Sequence, residues 1–120
     1  MKLKNAPLLI LFILIFTTGC KKKIRSGYYE VSASVGEYIF KRPTGDPFAP
    51  FATTTISGGT RTENFSKKRG EQYSATLWSL ADSSQTVTLI INVYYDEQLI
   101  DSKQITTANQ PMIEVSGNIP

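Results

Sequence analysis

Residues Thr86 to Tyr95 alternate without a break. Val87, Leu89, Ile91, Val93 and Tyr95 fall on one side at period two, and Thr86, Thr88, Ile90, Asn92 and Tyr94 on the other. Wound as a helix, the same residues would scatter their apolar groups around the whole circumference; extended, they form one apolar face and one mixed face. That is the pattern of a central strand in an antiparallel sheet with one side against a core. A ten-residue strand of this kind needs partners on both edges and a second layer over its apolar face.

The rest of the chain supplies them. Tyr28 to Val35 alternates in the same way, with Tyr29, Val31, Ala33 and Val35 on one face and Tyr28, Glu30, Ser32 and Ser34 on the other, until Gly36 breaks the run. Glu37 to Lys41, Phe51 to Ile56, Thr60 to Phe65, Gln72 to Leu80, Leu99 to Ile105 and Met112 to Ser116 are further short runs rich in β-branched and aromatic residues, separated by turn signals. In Gln72 to Leu80, Tyr73, Ala75 and Leu77 share a face and Trp78 takes the other. Ser57-Gly58-Gly59-Thr60 reads as a hairpin between its neighbours, because glycine tolerates the positive φ of such turns. Asp82 to Gln85 and Asp96 to Gln98 read as polar turns. No segment has a sustained helical period and no fixed repeat is visible. The expectation is an all-β fold, an antiparallel β-sandwich of about seven to eight strands.

Pro43-Thr44-Gly45-Asp46-Pro47-Phe48-Ala49-Pro50 cannot be regular structure, since proline removes backbone donors and restricts the residue before it. Phe48 and Phe51 carry apolar surface at this loop. The expectation is that at least one of them tucks against the sandwich and the other is open to a partner, ordinary core being the alternative for both.

The first twenty residues carry a different message. Lys2 and Lys4 precede an apolar run from Leu8 to Phe16, then Thr17-Thr18-Gly19 and Cys20, the chain's single cysteine. A basic start, a short apolar stretch and a small-residue junction describe a secretory signal. As a helix the run would rise about 14 Å, well short of the roughly 20 residues that span a bilayer core. The Thr17-Thr18-Gly19-Cys20 junction resembles a bacterial lipobox, although Thr17 stands where that motif usually has an aliphatic residue. The resemblance implies cleavage before Cys20 and acylation of its thiol. A short transmembrane anchor and a plain secretory signal are the competing readings. Two or three acyl chains would hold the protein permanently, whereas one alone binds only marginally. Lys21-Lys22-Lys23 and Arg25 follow, either resting on anionic headgroups or keeping a tether extended. A lysine after the cysteine, in place of aspartate or an acidic run, favours the periplasmic face of an outer membrane, by resemblance to lipoprotein sorting. The chain thus divides into a signal over 1–19, a lipidated cysteine and basic tether over 20–27, and a domain over 28–120.

Charge follows the same division. The chain has 13 Lys+Arg, 10 Asp+Glu and a formal charge of +3. Six of the cations precede Ser26, so seven face ten acids in the domain, which is about −3. Nothing there suggests a nucleic-acid surface. Lys67-Lys68-Arg69 before Gly70 reads as a turn of solvated charge, with a phosphate or lipid contact as the other reading.

There is no histidine, which removes the commonest general base, the Ser-His-Asp arrangement and the commonest zinc ligand. The lone cysteine is assigned to lipid. Asp96, Glu97 and Asp101, with Ser102 beside them, are the one acidic group worth weighing as an oxygen-ligand or catalytic site, and acids are common in turns for solvation alone. No cofactor and no catalytic residue is expected. The aromatics are more suggestive. Successive residues of a strand face opposite ways, so one tyrosine of Tyr28-Tyr29 and one of Tyr94-Tyr95 must lie on an outer face. Tyr28, Tyr94, Trp78, Phe48 and Phe51 are therefore the expected partner surface, with cross-strand packing as the alternative.

Tyr29-Glu30-Val31, the run Glu71-Gln72-Tyr73-Ser74-Ala75, the Val87 to Tyr95 strand and Leu99-Ile100-Asp101-Ser102-Lys103 together resemble the small transport-accessory (MmpS-like) family. This chain has Asn64-Phe65 where that family often has a Pro-Trp pair, and Asp96-Glu97-Gln98 where a glycine is usual. The resemblance implies an immunoglobulin-like sandwich and a role beside an envelope transporter. The resulting expectation is a non-catalytic binding or accessory lipoprotein with an envelope protein partner. The alternative is a ligand-binding or inhibitory lipoprotein directed at a carbohydrate, a small molecule or a toxin.

Overall fold

Eight strands form, one in each segment that alternates: β1 (Arg25–Ala33), β2 (Tyr38–Pro43), β3 (Phe51–Ile56), β4 (Gly59–Lys67), β5 (Gln72–Ser79), β6 (Val87–Tyr95), β7 (Gln98–Thr107) and β8 (Met112–Asn118). The computed structural model describes residues 23–120; the expected signal over 1–19, Cys20, Lys21 and Lys22 lie outside the described residues. The strands make two four-stranded antiparallel sheets, ordered β4-β1-β6-β7 and β3-β2-β5-β8. Their inner faces meet in one core, so the fold is a β-sandwich. No helix among the described residues is long and apolar enough to cross a membrane. β1 opens at Arg25, ahead of the expected domain start at Tyr28.

The period-two faces fall where the alternation puts them. Val87, Leu89, Ile91, Val93 and Tyr95 of β6 are buried, as are Tyr29, Val31 and Ala33 of β1 and Tyr73, Ala75 and Leu77 of β5. Tyr38 and Phe40 of β2 and Ile113 and Val115 of β8 complete the opposing layer. Each of the larger side chains stabilises the fold by about 1.5–3 kcal/mol through loss of water contact.

Only two connections are hairpins within a sheet. The β2–β3 loop joins paired neighbours, and Asp96-Glu97 joins β6 to β7 in two residues, both at positive φ (51° and 67°). That is the twist a tight hairpin requires, taken here without glycine. Just beyond it the register slips between Val93 and Tyr94, so that Ile100 is an extra residue in β7. The Gly58-Gly59 segment is not the hairpin expected of it. β3 pairs with β2 and β4 pairs with β1, so these glycines carry the chain from one sheet to the other. Their φ values of 128° and 73° make the crossing possible, and the Tyr38 hydroxyl donates to the Gly59 carbonyl at 2.8 Å to hold it. Local sequence announced a turn but not which sheet the chain would join after it.

The sheets are interlocked. β1 pairs with β4 while β2 pairs with β5, and both the β1–β2 and β4–β5 connections pass between layers. The inward tyrosines reinforce this. Tyr29 donates across the core to the Ser74 carbonyl at 3.2 Å, and Tyr73 donates to Asp101 Oδ2 on the facing sheet at 2.8 Å. Tyr95 donates to the Lys67 carbonyl at 2.6 Å. Burial first, then the hydrogen bond to Asp101 and its charge, push the Tyr73 hydroxyl up to about 12; burial also raises Tyr29 and Tyr38.

Gly27 is buried between Phe65 of β4 and Tyr95 of β6, its partners in the two ladders. With no side chain between them, the two rings lie nearly parallel at 6.5 Å. A Cβ there would sit 2.5 Å from the Phe65 ring and from the Tyr94 carbonyl. Gly117 plays the same part for its partner Tyr73, whose hydroxyl would lie 2.6 Å from an added Cβ. Each glycine is the seat of a cross-strand aromatic.

Candidate binding surfaces

Antiparallel register sets which outward residues stand side by side. On the outer face of the first sheet, Tyr28 of β1 and Tyr94 of β6 are directly opposed and stack, with centroids 4.7 Å apart and planes 18° from parallel. Exposed Leu99 follows in the same row on β7. Below it Asn92 Nδ2 donates to Glu30 Oε1 at 3.3 Å, and the Ser102 hydroxyl donates to Asn92 Oδ1 at 2.7 Å. Thr88 and Thr106 hydroxyls are bonded at 2.9 Å. Both tyrosines thus lie outside, as expected, and much of their ring surface is spent on each other.

The outer face of the second sheet is different. Ile39, Trp78 and Met112 form one row across β2, β5 and β8, because Trp78 is paired with Ile39 on one side and Met112 on the other. Trp78 is 46% exposed and Met112 59%. Exposed Leu80 lies just past β5, its N–H bonded to the Glu37 carbonyl at 2.8 Å. This gives an apolar patch at the end of the sandwich opposite the start of β1. Sequence reasoning named only Trp78. Ile39 and Met112 join it through register, which is fixed by contacts far apart in the chain.

The proline loop corrects an expectation. Neither phenylalanine reaches the core: Phe48 is 96% exposed and Phe51 54%. The loop is held instead by its own polar groups. The Thr44 hydroxyl donates to the Ala49 carbonyl, Thr44 N–H to the Pro50 carbonyl at 3.0 Å, and Phe48 N–H to Asp46 Oδ1 at 2.9 Å. Such Asx geometry fixes a turn without apolar packing. Phe51 stands on the outer face of edge strand β3 with the Lys41 ammonium 4.3 Å over its ring.

A groove of about 830 Å³ opens between the sheets at the end where β1 begins, with Arg42, Lys67, Gln72, Tyr73 and Asn118 among its walls. Nothing in the local sequence announced it, since its walls come from strands of both sheets. The Asp96, Glu97 and Asp101 group does not converge. Asp96 pairs with Arg25 at 3.5 Å, and Asp101 is turned to the Tyr73 hydroxyl and its own neighbour's N–H. Among the described residues there is no group of three or more His, Cys, Asp or Glu arranged to hold a metal ion.

No protein-family model matches the chain, and no curated protein or solved structure matches it.

Proposed function

We propose that the chain is a lipid-anchored envelope protein, held through acylated Cys20 at an outer membrane and facing the periplasm, that acts as a non-catalytic binding or accessory module for an envelope protein. The observation that carries the binding role is the row Ile39–Trp78–Met112. A small sandwich has no packing need for a half-exposed tryptophan beside an exposed methionine, and contiguous apolar surface of this kind suits a protein partner. The signal-and-cysteine pattern of residues 1–20 supports the anchor. A photo-crosslinking residue placed at Met112 in the intact cell tests the binding role, with Gln104 on the other outer face as control. A reproducible adduct from position 112 alone supports it, and equal or absent adducts at both positions overturn it. A transporter subunit in that adduct would make the module a transport accessory, as the family resemblance implies.

The groove beside Arg42 and Lys67 favours a second reading, a small-molecule or carbohydrate binder. A glycan array probed with the purified protein separates the two: specific signals lost on Gln72→Ala favour the groove, and an empty array leaves the protein partner.

A further inference from the structure

Antiparallel pairing brings one end of every strand to the end of the sandwich where β1 begins. The β2–β3 loop, the β4–β5 turn and the Asp96-Glu97 turn all lie there. Four of the seven exposed large apolar residues, Ile24, Phe48, Phe51 and Leu99, are at this end. So are six of the nine described cations: Lys23, Arg25, Arg42, Lys67, Lys68 and Arg69. The acids at or just inside this end number six, and five are engaged internally: Glu63 pairs with Arg42 at 4.0 Å, and Asp101 accepts the Tyr73 hydroxyl. Asp96 pairs with Arg25, Asp46 accepts the Phe48 N–H, and Glu71 accepts the Lys68 N–H at 2.6 Å; Glu97 is the sixth. The loops of the opposite end hold Glu37 and Asp82 and no cation.

We propose that this end of the sandwich docks on an anionic membrane surface, with Phe48 entering the headgroup–acyl boundary and Lys68 and Arg69 meeting phosphate headgroups. The inference rests on the anchor proposed above. An acylated Cys20 is five residues from the first residue of β1, and extended chain covers at most about 3.3–3.6 Å per residue, so β1 would begin within about 18 Å of the lipid. A tether that short keeps this end beside the bilayer. The cations have the sign that anionic leaflets attract. Pro43, Pro47 and Pro50, with the Thr44 and Asp46 hydrogen bonds, hold Phe48 out as a fixed projection and not as a loose ring. A fixed apolar tip at the same end of the sandwich as most of the cations is suited to shallow insertion.

The test uses the full chain reconstituted in phosphatidylethanolamine–phosphatidylglycerol vesicles whose acyl chains are brominated. Native protein reports from Trp78 alone; Trp78→Phe/Phe48→Trp reports from the loop. The loop indole is expected to shift to the blue and lose emission to bromine, while Trp78 does neither. Adding Lys68→Glu/Arg69→Glu, or raising the salt, should restore loop emission. Unquenched emission at position 48, or equal quenching at both positions, overturns the proposal. Intact mass reports acylation separately. If no acyl chains are present the anchor reading fails, and quenching of the loop indole by the same vesicles still decides the docking surface, presence sustaining it and absence overturning it.

Discussion

At the end where β1 starts, exposed apolar residues stand among cations, and just inside them the core is aromatic and stitched by hydrogen bonds. At the opposite end Ile39, Trp78, Leu80 and Met112 stand with no cation in the neighbouring loops, and beneath them the core is aliphatic apart from Tyr38 and Phe40. The difference lies in how each end closes. Near β1 the sheets leave a groove, Tyr29 and Tyr73 reach between them with hydroxyls that aliphatic side chains lack, and Tyr95 reaches past Gly27 to β4 within its own sheet. At the other end short crossings such as Gly58-Gly59 carry the chain between the layers, with the Tyr38 hydroxyl as their one aromatic tie. One end is thus expected to be sensitive to changes in its packing. The other displays half-exposed side chains whose removal should cost less.

That contrast can be broken most directly at Gly27. Gly27→Ala puts a Cβ against the Phe65 ring and the Tyr94 backbone, and should cost about 3 kcal/mol, the upper range for overpacking. A denaturant midpoint close to the native value would mean that the aromatic end is looser than its distances say. Tyr73→Phe comes next. It removes the bond to the Asp101 carboxylate and should cost about 1.5–3 kcal/mol in an unfolding titration at neutral pH.

The same substitution has a signature in alkali. Tyr73 titrates near 10 when unfolded and near 12 when folded, so its contribution is complete below about pH 10 and is lost as pH rises toward 12. Native protein should therefore lose stability across that window, and Tyr73→Phe should flatten the slope. An unchanged slope would place the alkaline sensitivity in Tyr29 or Tyr38. Trp78→Ser, at a half-buried outer-face position, should cost about 1 kcal/mol, well below Gly27→Ala, while abolishing the crosslink from Met112. Destabilisation comparable to Gly27→Ala would make Trp78 structural and remove the contrast between the ends. Glu97→Gly relieves one of the two positive-φ residues in the β6–β7 turn and should raise stability by about 0.5–1 kcal/mol.

What the sequence made legible follows from the range of each signal. Strand positions and faces depend on residues two apart, and the segments from Tyr28 to Ser116 could be assigned one by one. The outward placement of Tyr28, Tyr94 and Trp78 followed from the same rule. Sheet membership depends on pairing between distant segments, which is why Gly58-Gly59 passed for a hairpin. Register has the same non-local origin, so the Ile39–Trp78–Met112 row and the seating of Phe65 over Gly27 had no local signature. The expectation that one of Phe48 and Phe51 tucks against the sandwich fails for another reason. Apolar character suggested burial, but the Thr44 and Asp46 hydrogen bonds had already fixed the loop, so no apolar contact was needed to order it.

The interlocked pairing also has a consequence in time. As the chain is extended from its amino end, β1 has neither neighbour until β4 and β6 exist; Tyr28 waits for Tyr94, and β2 waits for β5. Only β2–β3 and β6–β7 can pair early, and two isolated hairpins are marginal in water. Contacts so distant in sequence make for slow folding, since long loops must close before any layer is covered. Nearly the whole domain must therefore be present before any of it is stable. The topology thus predicts a chain that stays open and threadable until β6 is available.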